Sequence, residues 1–317
     1  MRKKSIITIA IPAYKRPKEL DECIGSIVNQ KEFITNNNLK ILVIDDSPGH
    51  EGRKIMKRYV RMYPQRIRYI SNKKNLGFEL NILKLIKEIK KDYIFFVTDD
   101  DKLRENSLKE ILDVINKFNP DLIVSSYLNE YSNGSAKINS LFSMNFMVDN
   151  DDLEIKSKIF SDSHILSGKI FKRDQIDTDG YVRHIGSLYP HMYPVGECLL
   201  KAATYYSSKP FVIHRVGNKV YWSYLDDYMV VGKMRIIDDL SLINDQFGKL
   251  ARRNLLREFA YIIYLNIFRP KKIHLFLKGV LSGSSLLHSW YDWLNVLWGG
   301  ICLLLNKLKF VKNNLLY

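Results

Sequence analysis

Three consecutive aspartates, Asp99, Asp100 and Asp101, are the residues of this sequence most clearly placed to do chemistry. They follow residues 93–97, an apolar and aromatic run that is typical of a buried strand. At about 5 Å and an effective dielectric constant of about 20, each pair of like charges costs roughly 3 kcal/mol. A divalent metal ion among the carboxylates would remove that cost. An acidic turn that caps a helix predicted at residues 107–118 is the alternative.

The elements that position these aspartates are short apolar runs, which alternate with amphipathic helices between residues 6 and 127. This alternation is the signature of a mostly parallel sheet. Such sheets bind ligands beyond the carboxyl ends of their strands, so we expect polar residues that follow different strands to gather at one edge. The predicted strands are residues 6–11, 40–44, 67–70, 93–97 and 122–126.

Two of the helices show the spacing of three and four residues that marks a buried face. The first begins at Pro17, a favoured residue for the first helical position. The second follows Gly77, where the chain must turn tightly. Their apolar positions are Leu20, Cys23, Ile24, Ile27 and Val28 in the first helix and Leu80, Leu83, Ile86 and Ile89 in the second. Both helices are expected to pack on the sheet as right-handed crossovers.

The regular alternation ends after residue 127, so a different organisation is predicted for the rest of the chain. Residues 129–150 are polar and contain a Ser-Asn-Gly-Ser turn signal, which favours an insertion or loop. A further strand is predicted at residues 211–214, and beyond residue 221 the pattern is helical nearly to the end. We therefore divide the chain into an α/β domain of residues 1–220 and a helical region of residues 221–317.

Residues 290–305 form an amphipathic segment that differs from the earlier helices. Its apolar face includes Trp290, Trp293 and Trp298, and lysines follow it. The uninterrupted apolar part, residues 296–305, is about 15 Å long as a helix, whereas a hydrocarbon core is about 30 Å thick. It is too short to cross a bilayer and fits an in-plane helix at an anionic membrane surface. A helix packed on the protein's own core is the alternative.

Composition narrows the class of partner and the compartment. The 317 residues carry a formal charge of +15, so an anionic partner is expected: phosphorylated small molecules, nucleic acid or acidic lipid. The three cysteines have neither metal-ligand nor disulfide spacing, which argues against a zinc site and favours a reducing compartment. The basic and apolar start lacks a cleavage site, so the cytoplasm is the predicted location.

Four short motifs lie at the predicted strand ends. They are Ile-Ala-Ile-Pro-Ala-Tyr-Lys-Arg at residues 9–16, Val-Ile-Asp-Asp-Ser at 43–47, Asn-Leu-Gly at 75–77 and the aspartates at 99–101. Together and in this order they resemble the family 2 glycosyltransferases. The resemblance implies a GT-A fold, an α/β fold with a Rossmann-like, mostly parallel sheet flanked by helices, here with a helical C-terminal extension. It also implies a nucleoside-diphosphate sugar as the donor.

By this resemblance, the donor nucleotide lies against residues of the first three motifs. Pro12 and Tyr14 match positions that flank the base, and Arg16 approaches the phosphates. Asp46 would accept hydrogens of a pyrimidine, with a plain turn residue as the alternative. The glycine of the third motif would turn beside the nucleotide. The implied nucleotide-sugar-binding residues are Pro12, Tyr14, Arg16, Asp46, Asn75, Gly77, Asp99 and Asp100.

The resemblance also gives the aspartates different roles. It makes Asp101 the metal ligand, Asp99 a ribose contact and second ligand, and it places Asp100 between them. His214 ends a predicted strand where relatives carry a histidine or a basic residue near the metal and the diphosphate. The expected cofactor is Mg²⁺ or Mn²⁺, because hard oxygen ligands suit both ions. The metal would stabilise charge on the departing diphosphate.

The family reaction, as the resemblance implies it, is a single displacement with inversion, and it needs a base for the acceptor hydroxyl. Family members usually carry this base in an acidic pair at the start of a later helix. The best match is Glu197, although Cys198 stands in place of the second acidic residue. His191 is the second candidate, because imidazole is a competent base near neutral pH.

The setting implied by the resemblance is surface polysaccharide synthesis. Residues 162–164 precede residues 168–173, which resemble the family's strand at the edge of the acceptor pocket, and both stretches are candidates for contact with the acceptor. The overall pattern is similar to bacterial enzymes that build O-antigen or capsule repeat units on polyprenyl diphosphate. It implies transfer of a hexose or deoxyhexose to a lipid-linked glycan, by an enzyme held peripherally at the inner face of the cell membrane.

Two other functions stay open at this point. A sugar-phosphate nucleotidyltransferase would also use a metal and a nucleotide, but it favours a glycine-rich loop after the first strand, and residues 12–17 contain no glycine. A non-enzymatic protein that binds membrane or nucleic acid would fit the +15 charge. Its basic residues would be clustered with aromatics, whereas the lysines here are scattered.

Overall fold

The computed structural model describes residues 5–217 and 226–266. Within these ranges, strands and helices alternate through the first half of the chain as predicted. The strands are β1 Ile7–Ala13, β2 Leu39–Asp45, β3 Ile67–Ser71, β4 Tyr93–Phe96, β5 Lys102–Leu103, β6 Leu122–Tyr131, β7 Ala136–Asn139, β8 Phe146–Met147, β9 Lys169–Lys172 and β10 Thr204–Val216. The helices are α1 Pro17–Val28, α2 Lys31–Thr35, α3 Arg53–Met62, α4 Phe78–Glu88, α5 Ser107–Phe118, α6 Leu153–Ser161, α7 Thr178–Arg183, α8 Met192–Lys201, α9 Asp226–Ile243 and α10 Asp245–Asn266.

The strands form one sheet in the order β3-β2-β1-β4-β9-β6-β10-β5, with β7 beside β6 and β8 beside β10. β1 is parallel to β2 and β4, and β2 is parallel to β3. β9 is antiparallel to both of its neighbours, β4 and β6. The carboxyl ends of β1, β2 and β4 therefore share one edge with the first residue of β9. We call this edge, marked by Ala13, Asp45, Val97 and Lys169, the site edge.

Both faces of the sheet are covered, which explains the continuous apolar run of the fourth strand. Ile94 and Phe96 belong to one core with residues of α4 and α8, and Phe95 and Val97 belong to the other with residues of α1 and α5. All four side chains are at most 2% exposed. Charges are costly in such a strand, so the aspartates begin only where the sheet ends.

The two amphipathic helices form where their spacing predicts them. α1 begins at Pro17 and buries all five predicted apolar residues. α4 begins after Gly77, whose φ of +84° lies in the left-handed region that glycine adopts without strain. Leu80 is an exception at 40% exposure, because the buried face of α4 runs through Ile82 and Leu85 instead.

The prediction of an irregular segment after residue 127 is wrong in its first part. β6 continues to Tyr131, turns at Asn133 and Gly134, and returns as the antiparallel β7. The side chains of β7 are largely exposed, so the strand has no apolar face that a period of two would reveal.

The described helices of the C-terminal region share a core with the sheet. α9 and α10 pack on α8 and α6, and the rings of Phe160 and Phe247 join α6 to α10 with centroids 5.7 Å apart. The predicted amphipathic segment, residues 290–305, lies outside the described residues, and the domain boundary near residue 220 stays a prediction. In the part of the chain that the structure describes, no helix is long and apolar enough to cross a membrane.

Candidate active site

β4 delivers the three aspartates to the site edge, where a tight turn holds them. The N–H of Asp101 donates to the carbonyl of Thr98 over 3.1 Å, and the hydroxyl of Thr98 donates to Oδ2 of Asp101 over 2.9 Å. Oγ of Ser167, just before β9, accepts from the N–H of Thr98 at 2.9 Å. Asp99 and Asp101 are thereby held at 4% and 1% exposure.

Asp101 and His214 meet because β5 and β10 are paired. Ile213 lies opposite Lys102 in this antiparallel pair, so the next residue along β10 comes beside Asp101. Nδ1 of His214 is 3.0 Å from Oδ1 of Asp101. Burial lowers the pKa of His214, but the hydrogen bond to Asp101 and the nearby carboxylate charge outweigh it and raise the pKa. Two residues predicted as metal ligands are therefore side by side.

Arg16 pairs with the other two aspartates. Its Nη1 forms an ion pair with Oδ2 of Asp100 and lies 3.3 Å from Oδ1 of Asp99. The N–H of Tyr14 donates to Oδ2 of Asp99 over 2.8 Å. Burial, and then the charge of Asp100, still raise the pKa of Asp99 to about 8, since Arg16 and Tyr14 only partly offset them. The site is short of positive charge, and the predicted contact of Arg16 with phosphate stays a prediction.

These side chains fit a divalent cation whose remaining ligands come from elsewhere. Asp101 offers a carboxylate and His214 an imidazole, and Mg²⁺ and Mn²⁺ accept such ligands. Asp99 accepts from Tyr14 and Arg16, and its role as the second ligand stays a prediction. Among residues 5–217 and 226–266, no group of three or more His, Cys, Asp or Glu side chains is arranged to hold a metal. Substrate phosphate oxygens and water would have to complete the coordination.

Asp46 anchors the predicted nucleotide loop. Its Oδ1 accepts from Nδ2 of Asn72 at 2.7 Å and from the N–H of Leu76 at 2.8 Å. Its Oδ2 accepts from the N–H of Gly77, also at 2.8 Å. The side chain is buried, and the protein's own groups use both oxygens. Asp46 therefore shapes the loop, and its contact with a pyrimidine stays a prediction.

Tyr14 and Asn75 join the two halves of the predicted nucleotide site. Nδ2 of Asn75 lies 3.4 Å from the hydroxyl of Tyr14. Lys15 has a φ of +54°, and its N–H donates to Oγ of Ser47 over 2.8 Å, which turns the chain away from β1. Pro12 lies earlier in β1, in register with β2. The predicted nucleotide residues thus lie along one stretch of the site edge.

Two polar residues that the sequence patterns did not single out hold other residues of the site in place. Asn72, just beyond β3, is 4% exposed and links Asp46 to Lys84 of α4, whose Nζ is 2.6 Å from its Oδ1. Ser167 is fully buried and holds Thr98. The position of Asn72 after a predicted strand is a usable signal. Ser167 carries no such signal, because its contact depends on the antiparallel insertion of β9.

His191 is buried just before α8. Its Nε2 lies 3.0 Å from the carbonyl of His164, and it is 4% exposed. Burial, reinforced by the charges of Lys169 and Lys233, lowers the pKa of His191 to about 4, so the ring is neutral near pH 7. Its Nδ1 has no hydrogen-bond partner within the described ranges. His191 stays a candidate for contact with the acceptor.

Glu197 lies far from the aspartates. Its Oε1 pairs with Nζ of Lys201 at 2.7 Å, and the pocket around it is also lined by Asp174, which follows β9. Because β9 is antiparallel to β4, its end lies beside Tyr93, about 20 Å along the strand from Asp99. Glu197 is therefore part of a helix ion pair at the opposite edge of the sheet, and we do not retain it as the base.

Comparison with solved structures supports the fold. The TarS fragment 1–349 of S. aureus, solved with UDP-GlcNAc, has a TM-score of 0.66 at 15% identity, with 87% of this chain and 79% of that chain covered. The mannosyltransferase PcManGT of Pyrobaculum calidifontis, solved with GDP-Man and Mn²⁺, has a TM-score of 0.53 at 11% identity, with 96% and 81% covered. The predicted GT-A fold is thereby confirmed.

Comparison of sequences identifies the family. Abequosyltransferase RfbV of Salmonella typhimurium is 28% identical over 270 residues, which cover 77% of this chain and 76% of RfbV. The poly(ribitol-phosphate) beta-N-acetylglucosaminyltransferase TarP of Staphylococcus aureus is 26% identical over 179 residues, which cover 56% of this chain and 51% of TarP. The model of "Glycosyl transferase family 2" matches residues 8–174, more than half of the chain. With the strand-end motifs gathered at one edge, this match shows that the chain belongs to glycosyl transferase family 2.

Proposed function

We propose that this chain is an inverting glycosyltransferase that moves a hexose or deoxyhexose from a nucleoside-diphosphate sugar to a lipid-linked glycan. The observation that carries the proposal is the 3.0 Å pairing of Asp101 with His214, beside the ion pairs of Arg16 with Asp99 and Asp100. These carboxylates have too little positive charge around them. A divalent cation that binds together with a diphosphate would supply the missing positive charge. The similarity to an abequosyltransferase favours a surface polysaccharide as the product.

In this proposal the nucleoside lies between Tyr14 and the loop that Asp46 holds, and the ribose lies against Asp99. Asp101 and His214 would hold Mg²⁺ or Mn²⁺, which stabilises charge on the departing diphosphate when it is bound. Arg16 lies beside Asp99, so its guanidinium is positioned to leave one of its carboxylate contacts and to bind a phosphate oxygen instead. The protein thus provides a pre-built surface for the leaving group.

The acceptor hydroxyl approaches from the side of β9 and α8, where His191 lies. Direct displacement inverts the anomeric carbon, because the hydroxyl attacks opposite the departing diphosphate. A polyprenyl diphosphate carrier would keep the reaction at the inner face of the cell membrane. The charge of +15 and the predicted amphipathic segment, residues 290–305, favour peripheral contact with anionic lipid there.

A donor screen tests this function. Full-length protein is mixed with UDP-, dTDP-, CDP- and GDP-sugars in MnCl₂, and both thermal stabilisation and slow release of nucleoside diphosphate are followed. We expect one nucleotide class to stabilise the protein, and its sugar to be hydrolysed slowly. Asp101→Ala should lower that hydrolysis by about 100-fold or more while the far-UV circular dichroism is unchanged. Stabilisation by none of these donors contradicts the proposal.

A further inference from the structure

We propose that Asp162 is the general base that deprotonates the acceptor hydroxyl, and that Lys169 is the buried cation that keeps this carboxylate ionised. The inference rests on the proposed function and adds the base that the site otherwise lacks. It replaces Glu197, which lies at the far edge of the sheet.

Asp162 belongs to a segment that is fixed against the end of β4. It ends α6, where its N–H donates to the carbonyl of Lys158 over 3.2 Å. Five residues later, Ser167 accepts from Thr98, and the N–H of Gly168 donates to the carbonyl of Phe96 over 3.1 Å. Gly168 has a φ of +89°, and a Cβ there would come within 2.7 Å of Oγ of Ser125, so this position requires glycine. A short segment thus connects Asp162 to the end of the strand that precedes the aspartates.

A short polar chain connects Asp162 to the metal-site residues. Asn139 of β7 lies beside Asp162, whose pKa it lowers, and it donates to the hydroxyl of Tyr127. The ring of Tyr127 packs edge-on against His214, with centroids 6.0 Å apart, and His214 holds Asp101. The amide of Asn139 and the ring of Tyr127 therefore lie between Asp162 and the Asp101 and His214 pair. In this proposal the acceptor reaches the anomeric carbon from this side, past the carboxylate of Asp162.

The same region contains buried polar groups without partners. Nδ1 of His164 and Nδ1 of His191 are buried and have no hydrogen-bond partner among the described residues. Lys169 is 1% exposed, and Asp162 is the charged group that acts on its ammonium. Native proteins rarely leave such groups unsatisfied, so a polar molecule is expected to occupy this space. The hydroxyl groups of a sugar acceptor have the matching chemistry.

The electrostatics suit a base that works near neutral pH. Burial raises the pKa of Asp162 to about 6, and the positive charge of Lys169 limits that rise. Burial lowers the pKa of Lys169 to about 8, and the charge of Asp162 partly restores it. The charges of Lys233 of α9 and Glu258 of α10 also act on Asp162, and the charge of Asp162 acts on Tyr127 of β6. His164, whose pKa burial lowers to about 3, follows two residues later in the same segment.

The proposed step balances without a further reactant. The acceptor O–H bond breaks, and its proton passes to a carboxylate oxygen of Asp162. The electron pair left on the acceptor oxygen forms the new bond to the anomeric carbon. The bond from that carbon to the diphosphate breaks, and its electron pair leaves with the nucleoside diphosphate.

The test uses the full-length protein, MnCl₂ and the nucleotide sugar identified by the donor screen, with water as the acceptor. Asp162→Asn should release nucleoside diphosphate about 100-fold or more slowly than the wild type. Its affinity for the free nucleoside diphosphate, measured by calorimetry, should be unchanged. Sodium azide needs no deprotonation, so it should restore turnover of Asp162→Asn and yield a glycosyl azide. The matched control is Asp174→Asn, an exposed aspartate at the far end of β9, which should behave like the wild type.

The pH profile separates a base from a structural residue. In the wild type, kcat/KM should fall on the acid side with a pKa near 6. Lys169→Met should move this limb upward by about one pH unit, because the cation that favours the carboxylate is gone. Wild-type turnover by Asp162→Asn, or an Asp162→Asn variant that binds nucleotide and is not rescued by azide, overturns the inference. The proposed function would then still stand, since it fails only if the wild type neither binds nor hydrolyses any donor.

Discussion

Nδ1 of His214 lies 3.0 Å from Oδ1 of Asp101, although 113 residues separate the two in the chain. The pairing of β5 with β10 produces this contact, because it sets Ile213 opposite Lys102. The side chain of Asp101 is 1% exposed and that of His214 is 30% exposed, so the pair presents its imidazole to the site while its carboxylate is held beneath. Such a pair is suited to hold a cation at the end of a sheet.

His214→Ala should weaken Mn²⁺ binding and slow donor hydrolysis while the fold is kept. Its side chain is 30% exposed, so its removal leaves a space open to solvent and not a closed cavity. Loss of a group that hydrogen-bonds a metal ligand typically costs about 10- to 100-fold in metal affinity or activity, and loss of a ligand should cost at least as much. Mn²⁺ titration followed by water-proton relaxation measures the change. Equal Mn²⁺ affinity in the variant and the wild type would remove His214 from the metal site.

Asp46→Ala should lower both thermal stability and nucleotide affinity. The substitution leaves the amide of Asn72 and the N–H groups of Leu76 and Gly77 without their acceptor. A buried donor without a partner costs about 1–3 kcal/mol, and the loop beside the nucleotide loses its anchor. Thermal unfolding without ligand is the decisive measurement. If Tm is unchanged while nucleotide affinity falls, Asp46 is a base contact and not a loop anchor.

Lys169→Met should make the protein more stable near pH 7. Burial holds the pKa of Lys169 at about 8, below the ordinary value of 10.5, so the folded state disfavours the charged form. This difference costs the wild type at most about 3 kcal/mol below pH 8, and the cost disappears as the pH rises towards 10.5. The variant should therefore gain in Tm over the wild type near pH 7 and gain little near pH 10.5. A lower Tm at pH 7 would show that Lys169 stabilises the fold.

If Lys169→Met is more stable but less active than the wild type, the result would indicate that Lys169 is kept for function. Buried polar groups at functional sites are commonly kept at the expense of stability. Lys172→Met, on the same strand, is the matched control. Lys172 pairs with Asp121 at 2.6 Å, and its substitution should not raise Tm.

Joint replacement of Trp290, Trp293 and Trp298 by serine should weaken binding to vesicles that contain anionic lipid. The prediction comes from the amphipathic pattern of residues 290–305. Flotation with phosphatidylglycerol vesicles measures it, and Trp222→Ser, which changes the fourth tryptophan, is the control. Equal flotation of the triple variant and the wild type would refute an interfacial role for this segment.

The sheet and the nucleotide half of the site could be predicted from sequence, because both depend on local patterns. A continuous apolar run followed by carboxylates specifies a buried strand that ends shortly before Asp99. Parallel pairing then gathers the residues that follow each strand, such as Asp46 and Tyr14. The register between β5 and β10 brings in His214, and only the resemblance to a family indicated that residue.

The acceptor half could not be predicted in the same way, because it depends on one antiparallel strand. β9 enters between β4 and β6 and reverses the direction of the chain, which sends its far end and Glu197 to the opposite edge. His191 and Glu197 are six residues apart, or about 9 Å along a helix, and sequence alone does not show which of them faces the aspartates. Asp162 lies in a stretch that the resemblance marks only as a candidate for acceptor contact, and its place at the end of a short helix does not indicate a catalytic role.

The central claim is that Asp101 and its neighbours support metal-dependent transfer from a nucleoside-diphosphate sugar. The most direct test compares wild type and Asp101→Asn with the identified donor, in MnCl₂ and again in EDTA, with nucleoside diphosphate release as the readout. We predict release by the wild type in MnCl₂, and loss of at least about 100-fold on addition of EDTA or on substitution of Asp101. Release by Asp101→Asn at the wild-type rate in MnCl₂ would contradict the account.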